Sequence, residues 1–122
     1  MKRDMDLIRR IILAVDDLPI DKPLTELSDV EARAFAMHAQ WLSEAGLVHA
    51  SFSPRTGNAP ATFAAIFRLT WAGCEFADAI RNDTLWNKAK DKVIKPGMSF
   101  TFEVLTTWLK AEIQHGLPSL VA

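Results

Sequence analysis

Six residues of this chain have the chemistry to recognise a phosphate backbone or the edge of a base: Arg33, Gln40, Arg55, Lys88, Lys92 and Lys95. Arg33 and Gln40 lie on the polar side of an expected helix, where a guanidinium and an amide can read base edges. Arg55 stands in a loop rich in turn formers. Lys88, Lys92 and Lys95 share one face of a later helix that also carries Lys90 and Asp91. The plain reading of that run is a solvated face that aids solubility. The sharper reading is a phosphate contact displaced toward the C-terminal region. Lys2, Arg3, Arg9 and Arg10 give a second, mixed patch.

Other chemistries find little support. His38, His49 and His115 fall on three different elements, and no two have metal-ligand spacing. His38 lies on the inner half of its helix and is expected as a hydrogen-bonded core residue. Asp78, Asp83 and Asp91 form no acid/base pair on one face. Cys74 is the sole cysteine, so the chain holds no internal disulfide, and a small buried hydrophobe is expected there. No glycine-rich phosphate loop is present. Trp41, Trp71, Trp86 and Trp108 occur one per expected helix and read as core or interface, not as a base-stacking platform. The expectation is a protein that is not an enzyme and needs no cofactor or metal.

The chain has 122 residues, 49% hydrophobic and 24% charged, which suffices for one globular core. A net charge of -1 gives it no overall attraction for phosphates, so any nucleic-acid contact must be local. The longest apolar stretch, Ile11 to Val15, is too short to span a bilayer. Lys2-Arg3 is followed by Asp4 and Asp6, not by the apolar core of a signal peptide. A cytoplasmic protein without membrane contact is expected.

The elements that would position these residues follow from pattern and punctuation. Leu7, Ile8, Ile11, Ile12 and Val15 form one helical stripe, capped by Asp4 and ended by Pro19. A second helix is expected from Ser28, with Glu31 completing a capping box, to Ala45, with Gly46 as its left-handed stop. On a helical wheel Val30, Ala34, Met37, His38, Trp41 and Ala45 form its inner side, with Phe35 and Leu42 at its edge. Ala32, Arg33, Ala36, Ala39, Gln40 and Ser43 lie opposite. Leu47 to Ser53 and Thr62 to Leu69 alternate with period two and read as an antiparallel pair around the loop Pro54 to Ala61. Thr70 caps a helix over Trp71 to Arg81, and Thr84 caps another reaching about Lys95. Pro96-Gly97 breaks the chain. The last helix starts near Thr101, with Leu105, Trp108, Leu109 and Ile113 on one face. Ile8, Ile12, Met37, Trp41, Leu69 and Trp71 are expected in the core.

Helix, Glu-Ala-Gly-Leu, strand, loop, strand, helix is the order of a winged helix. The opening Met1-Lys2-Arg3-Asp4-Met5-Asp6-Leu7-Ile8-Arg9, Glu44-Ala45-Gly46-Leu47, the run Arg68 to Lys88, and Ser99 to Leu105 resemble a phage- and prophage-associated family, domain-of-unknown-function family 2513. His38 also sits where that family tends to have a histidine. The resemblance implies a winged-helix-like small protein of bacterial or phage origin and no catalytic residues.

The expected architecture is α+β: a winged-helix-like core over residues 1–82 (helix, short strand, helix, two-stranded wing) and a helical C-terminal extension over 83–122. Leu18 to Leu27 holds two prolines, so the usual positioning helix is absent or reduced to a short strand at Leu24 to Leu27. The expected role is a small regulator that binds double-stranded DNA as a homodimer. The alternative is a module that kept the fold without duplex binding and acts on a host or phage protein. The acidic balance of the middle helix, Asp29, Glu31 and Glu44 against Arg33, favours the alternative. The lysine face favours DNA.

Overall fold

In a computed structural model, residues 1–53, 58–94 and 101–116 are described, with residues 115 and 116 described by backbone alone. The architecture is α+β, with five α-helices and a two-stranded antiparallel sheet among the described residues. Two compact units divide at Ala77/Asp78, inside a helix, where a boundary after Asn82 was expected.

The first unit opens with α1, Met5–Asp16. The Asp4 carboxylate accepts from the backbone N–H groups of Asp6 (3.0 Å) and Leu7 (3.2 Å), satisfying two donors that have no intrahelical partner. Met5, Ile8, Ile11, Ile12 and Val15 are buried along one stripe. Each such residue withdrawn from water contributes about 1.5–3 kcal/mol. No helix follows. Leu24 instead pairs through two 2.9 Å backbone hydrogen bonds with Ile66, and this isolated bridge is all that forms of the expected Leu24 to Leu27 strand.

The second helix, α2, spans Ala32–Glu44 and starts later than the capping box predicts. Asp29 adopts a φ of 62°, which no residue inside a right-handed helix can hold. Ser28 and Asp29 belong to a turn closed by Val30 N–H donating to Leu27 O, and the Arg10 guanidinium holds the Ser28 carbonyl at 2.8 Å. Glu31 is the N-cap and makes no side-chain capping bond. The far end follows expectation: Gly46 has φ 77°, and Leu47 N–H reaches back to Leu42 O.

The helix is also turned from the wheel by about a third of a turn, at 100° per residue. Its buried residues are Phe35, Ala36, His38, Ala39 and Leu42, whereas Met37 and Trp41 are half-buried and Ala45 is exposed. Ala36 and Ala39, expected on the outer side, let the helix backbone lie close on both strands. Phe35 and Leu42 supply the bulk of the inward face, and the small alanines beside them allow the close approach.

His38 is 2% exposed and fully satisfied. Its Nε2 accepts from Asp4 N–H at 2.9 Å, so that nitrogen carries no proton, and Nδ1–H donates to Ala34 O at 2.7 Å. The ring thereby ties α2 to the capping residue of α1. Replacing His38 with Leu leaves the Asp4 N–H without its acceptor and is expected to cost about 1–3 kcal/mol. Urea denaturation checks this: an unchanged midpoint would show that the bridge contributes nothing.

Strands β1 (Val48–Ser53) and β2 (Phe63–Leu69) pair as expected, and residues 54–57 of the intervening loop lie outside the described residues. The register carries a bulge. His49 faces Arg68 and Ala50 faces Ile66, leaving Phe67 unmatched. One extra residue reverses the period-two phase, so Ala64, Ile66 and Leu69 are all buried, while Phe67 is 52% exposed.

Helix α3, Trp71–Ile80, is capped as expected: Thr70 Oγ1 accepts from Gly73 N–H at 3.0 Å. The same hydroxyl donates to Gly46 O, and Thr70 N–H donates to Leu47 O. The buried row of α3 is Gly73, Phe76, Ala77 and Ile80. Trp71 and Cys74 lie off that row, and both are exposed, Trp71 at 81%, contrary to the core positions expected for them.

In the second unit, α4 spans Asp83–Ala89, and its cap is Asn82, whose Oδ1 accepts from Leu85 N–H, not Thr84. The run continues as a π-helical turn over Lys90–Ile94 instead of an unbroken α-helix. Trp86, Ala89 and Val93 are buried. Helix α5, Phe102–Gly116, packs on α4, with Thr101 Oγ1 accepting from Val104 N–H. Leu105 and Leu109 are fully buried, and Trp108 and Ile113 are half-buried.

Candidate functional site: the outer face of α2

Turning α2 away from the expected wheel puts Arg33, Met37, Gln40, Trp41 and Glu44 on its outer face, at spacings of three and four. Beside this face runs the segment leading into β2. Gln40 Oε1 accepts from Ala61 N–H at 3.2 Å, and Ala61 is buried, so the amide pins Pro60 to Thr62 against the helix. Arg33, Met37, Trp41, Pro60 and Met1 then enclose an open groove of about 490 Å³. Through Met1 and Trp41 it adjoins a second recess of about 440 Å³, lined by Lys2 and Arg3.

The electrostatics of this face depart from those of its surroundings. Residues 1–77 carry ten carboxylate side chains against eight basic ones. Among the described residues, the side chains lining the two recesses nevertheless include Arg33, Lys2 and Arg3 and no acid. Glu44 follows about one turn beyond Trp41. Trp41 is held edge-on by His38, with ring centroids 5.1 Å apart and planes at 82°. Its partner ring is fixed by two hydrogen bonds, so the indole is positioned before anything binds. Such a face can bury an apolar group and pair an anion with a guanidinium.

The sequence-derived candidates separate. Arg33 lies at the groove, and Gln40 is beside it but engaged as a tether. Lys88 belongs to the second unit and forms a 2.7 Å ion pair with Glu112. Lys92 is exposed on the π-helical turn. Arg55 and Lys95 lie outside the described residues. Of the other lining residues, Lys2 and Arg3 were expected only as part of a mixed basic patch and Met37 and Trp41 only as core, while Met1 and Pro60 to Thr62 were not singled out by sequence. The signal for the groove was the Arg33-Met37-Trp41 repeat at four-residue spacing, which reads equally well as a core stripe. Among the described residues, no three His, Cys, Asp or Glu side chains gather to hold a metal, and no helix is long and apolar enough to cross a membrane.

The family model described as "Hypothetical protein (DUF2513)" matches residues 2–99, which is most of the chain. The chain belongs to the DUF2513 family. It is 29% identical over 108 residues to an uncharacterized protein of Haemophilus influenzae, an alignment covering 86% of this chain and 89% of that one. No solved structure matches significantly. The family match spans α1 through α4, and with them every groove residue named above except Met1, and it ends before α5.

Glu44 to Leu47 and Thr70 to Gly73, far apart in the chain, are joined by the Thr70 hydroxyl and by the Thr70 N–H to Leu47 O bond. They are two halves of one joint that sets α3 against the end of α2.

Proposed function

We propose that this DUF2513 protein is a winged-helix-like regulator of bacterial or phage origin that acts by docking a partner protein on the outer face of α2. The order of α1, the Leu24 bridge, α2 and the β1–β2 hairpin supports the winged-helix-like reading. One observation carries the choice of a protein partner. The surface where a winged helix presents its recognition helix is here a groove floored by Met37 and Trp41. Duplex DNA is read by polar side chains and held by several phosphate contacts. On this face Gln40 is tied to Ala61, and Glu44 opposes a phosphate track. In the second unit, Lys88 is paired with Glu112.

A photo-crosslinking residue in place of Met37 tests the reading in the cells of origin. The expected result is an adduct of discrete size that protease removes and nuclease does not. Nuclease-sensitive adducts, together with salt-dependent binding of the purified chain to genomic DNA fragments, would make duplex DNA the ligand.

A further inference from the structure

Taking the docking of a protein on α2 as given, we infer that the groove selects a partner segment in which a large apolar side chain stands next to Asp or Glu. The apolar residue enters between Met37 and Trp41. The neighbouring carboxylate pairs with Arg33 at one end or Lys2 at the other.

Three features support this. The volume of about 490 Å³ lies within the ~300–1,000 Å³ typical of sites that enclose a ligand group. Its walls include two thioethers, Met1 and Met37, which adapt to the shape of an inserted side chain. Trp41 is already held by His38, so little ordering is needed on binding. Charge then supplies the selectivity. Cations line the recesses without an acid among them, on a unit whose own carboxylates outnumber its basic groups. A planar guanidinium donates two parallel N–H bonds to the two oxygens of a carboxylate in a matched fork.

A nucleic-acid strand could also place a base on Trp41 and a phosphate on Arg33. Its next phosphates along α2 would approach Glu44, and the wall formed by Pro60 to Thr62 narrows the groove for a sugar-phosphate chain. A peptide carries its charge at single positions and meets neither obstacle.

The probe is a random-peptide display library selected against the intact chain carrying its tag at the C-terminus, which leaves the Met1 end unmodified. Enriched peptides are then titrated by fluorescence anisotropy, with a single-stranded oligonucleotide of mixed sequence in parallel. The expected consensus has an aromatic or Leu residue beside Asp or Glu. Arg33→Glu should weaken binding by about tenfold or more, as loss of a charge pair at an interface does. Replacing the peptide's acid by Lys should restore binding to that variant. Arg33 is exposed, so the variant should fold, and circular dichroism checks that it does.

Enriched peptides without an acidic bias, or indifferent to Arg33→Glu but lost with Trp41→Ala, would overturn the inference and leave docking on α2 standing. Peptides indifferent to both substitutions, no enrichment at all, or oligonucleotide binding abolished by Trp41→Ala would overturn both.

Discussion

Gly73→Ala is expected to destabilise the first unit by about 3 kcal/mol, near the upper end for overpacking a close contact. A methyl group at Gly73 would be built into the Leu47 carbonyl oxygen, well inside van der Waals contact, and would stand 3.1 Å from Leu69 Cβ. Neither neighbour is the loose end of a side chain. Leu47 O already accepts from Thr70 N–H, and its residue follows the left-handed Gly46 that ends α2. Room for the methyl could come only from shifting α3 away from the α2–β1 junction. That shift would also strain the Thr70 hydroxyl, which bridges Gly73 N–H and Gly46 O. Urea denaturation of the purified variant measures the effect, and Cys74→Ala on the exposed side of the same helix is the control. A Gly73→Ala midpoint equal to that of the control would mean that α3 does not approach Leu47 as closely as described.

Phe35→Ala should cost about 3–5 kcal/mol, as expected for removing a fully enclosed aromatic ring. Phe35 is 2% exposed and sits at the centre of the buried row of α2, against the sheet. Trp41→Ala removes a larger ring but should cost clearly less, about 1–2 kcal/mol, because a half-buried side chain gives up only part of its burial. The comparison reports the rotation of the helix. If Trp41→Ala proved the more damaging, the wheel centred on Met37 and Trp41 would be right and the groove would not exist. The same two variants should separate stability from binding: Trp41→Ala abolishes peptide capture in a protein that still folds.

What the sequence by itself determined is what neighbouring residues decide among themselves. Asp4 capping α1, Gly46 ending α2 and Thr70 starting α3 are each chemical events within a few residues. The paired strands are read the same way, from alternation around a turn-rich loop. The exceptions are local rules overridden from a distance. Ser28 and Glu31 have capping-box spacing, yet the turn at Asp29, with Arg10 from α1 on the Ser28 carbonyl, delays the helix. Phe67 breaks the alternation because the pairing with β1 inserts it as a bulge.

Only the tertiary structure decided which way α2 faces, and with it the site. A wheel weighs residues by hydrophobicity and so turns Met37 and Trp41 inward. Packing weighs them by fit: Ala36 and Ala39 allow the helix to lie on the sheet, and the bulkier pair is left at the surface. Arg33 could be named in advance because its charge keeps it outside in either rotation. That Lys2, Arg3 and Pro60 to Thr62 would gather beside it could not. They reach Trp41 only because His38 ties the start of the chain to α2 and Gln40 ties the approach to β2. Contacts made across thirty-four and twenty-one residues leave no periodic trace in the sequence, and the groove exists only where they close.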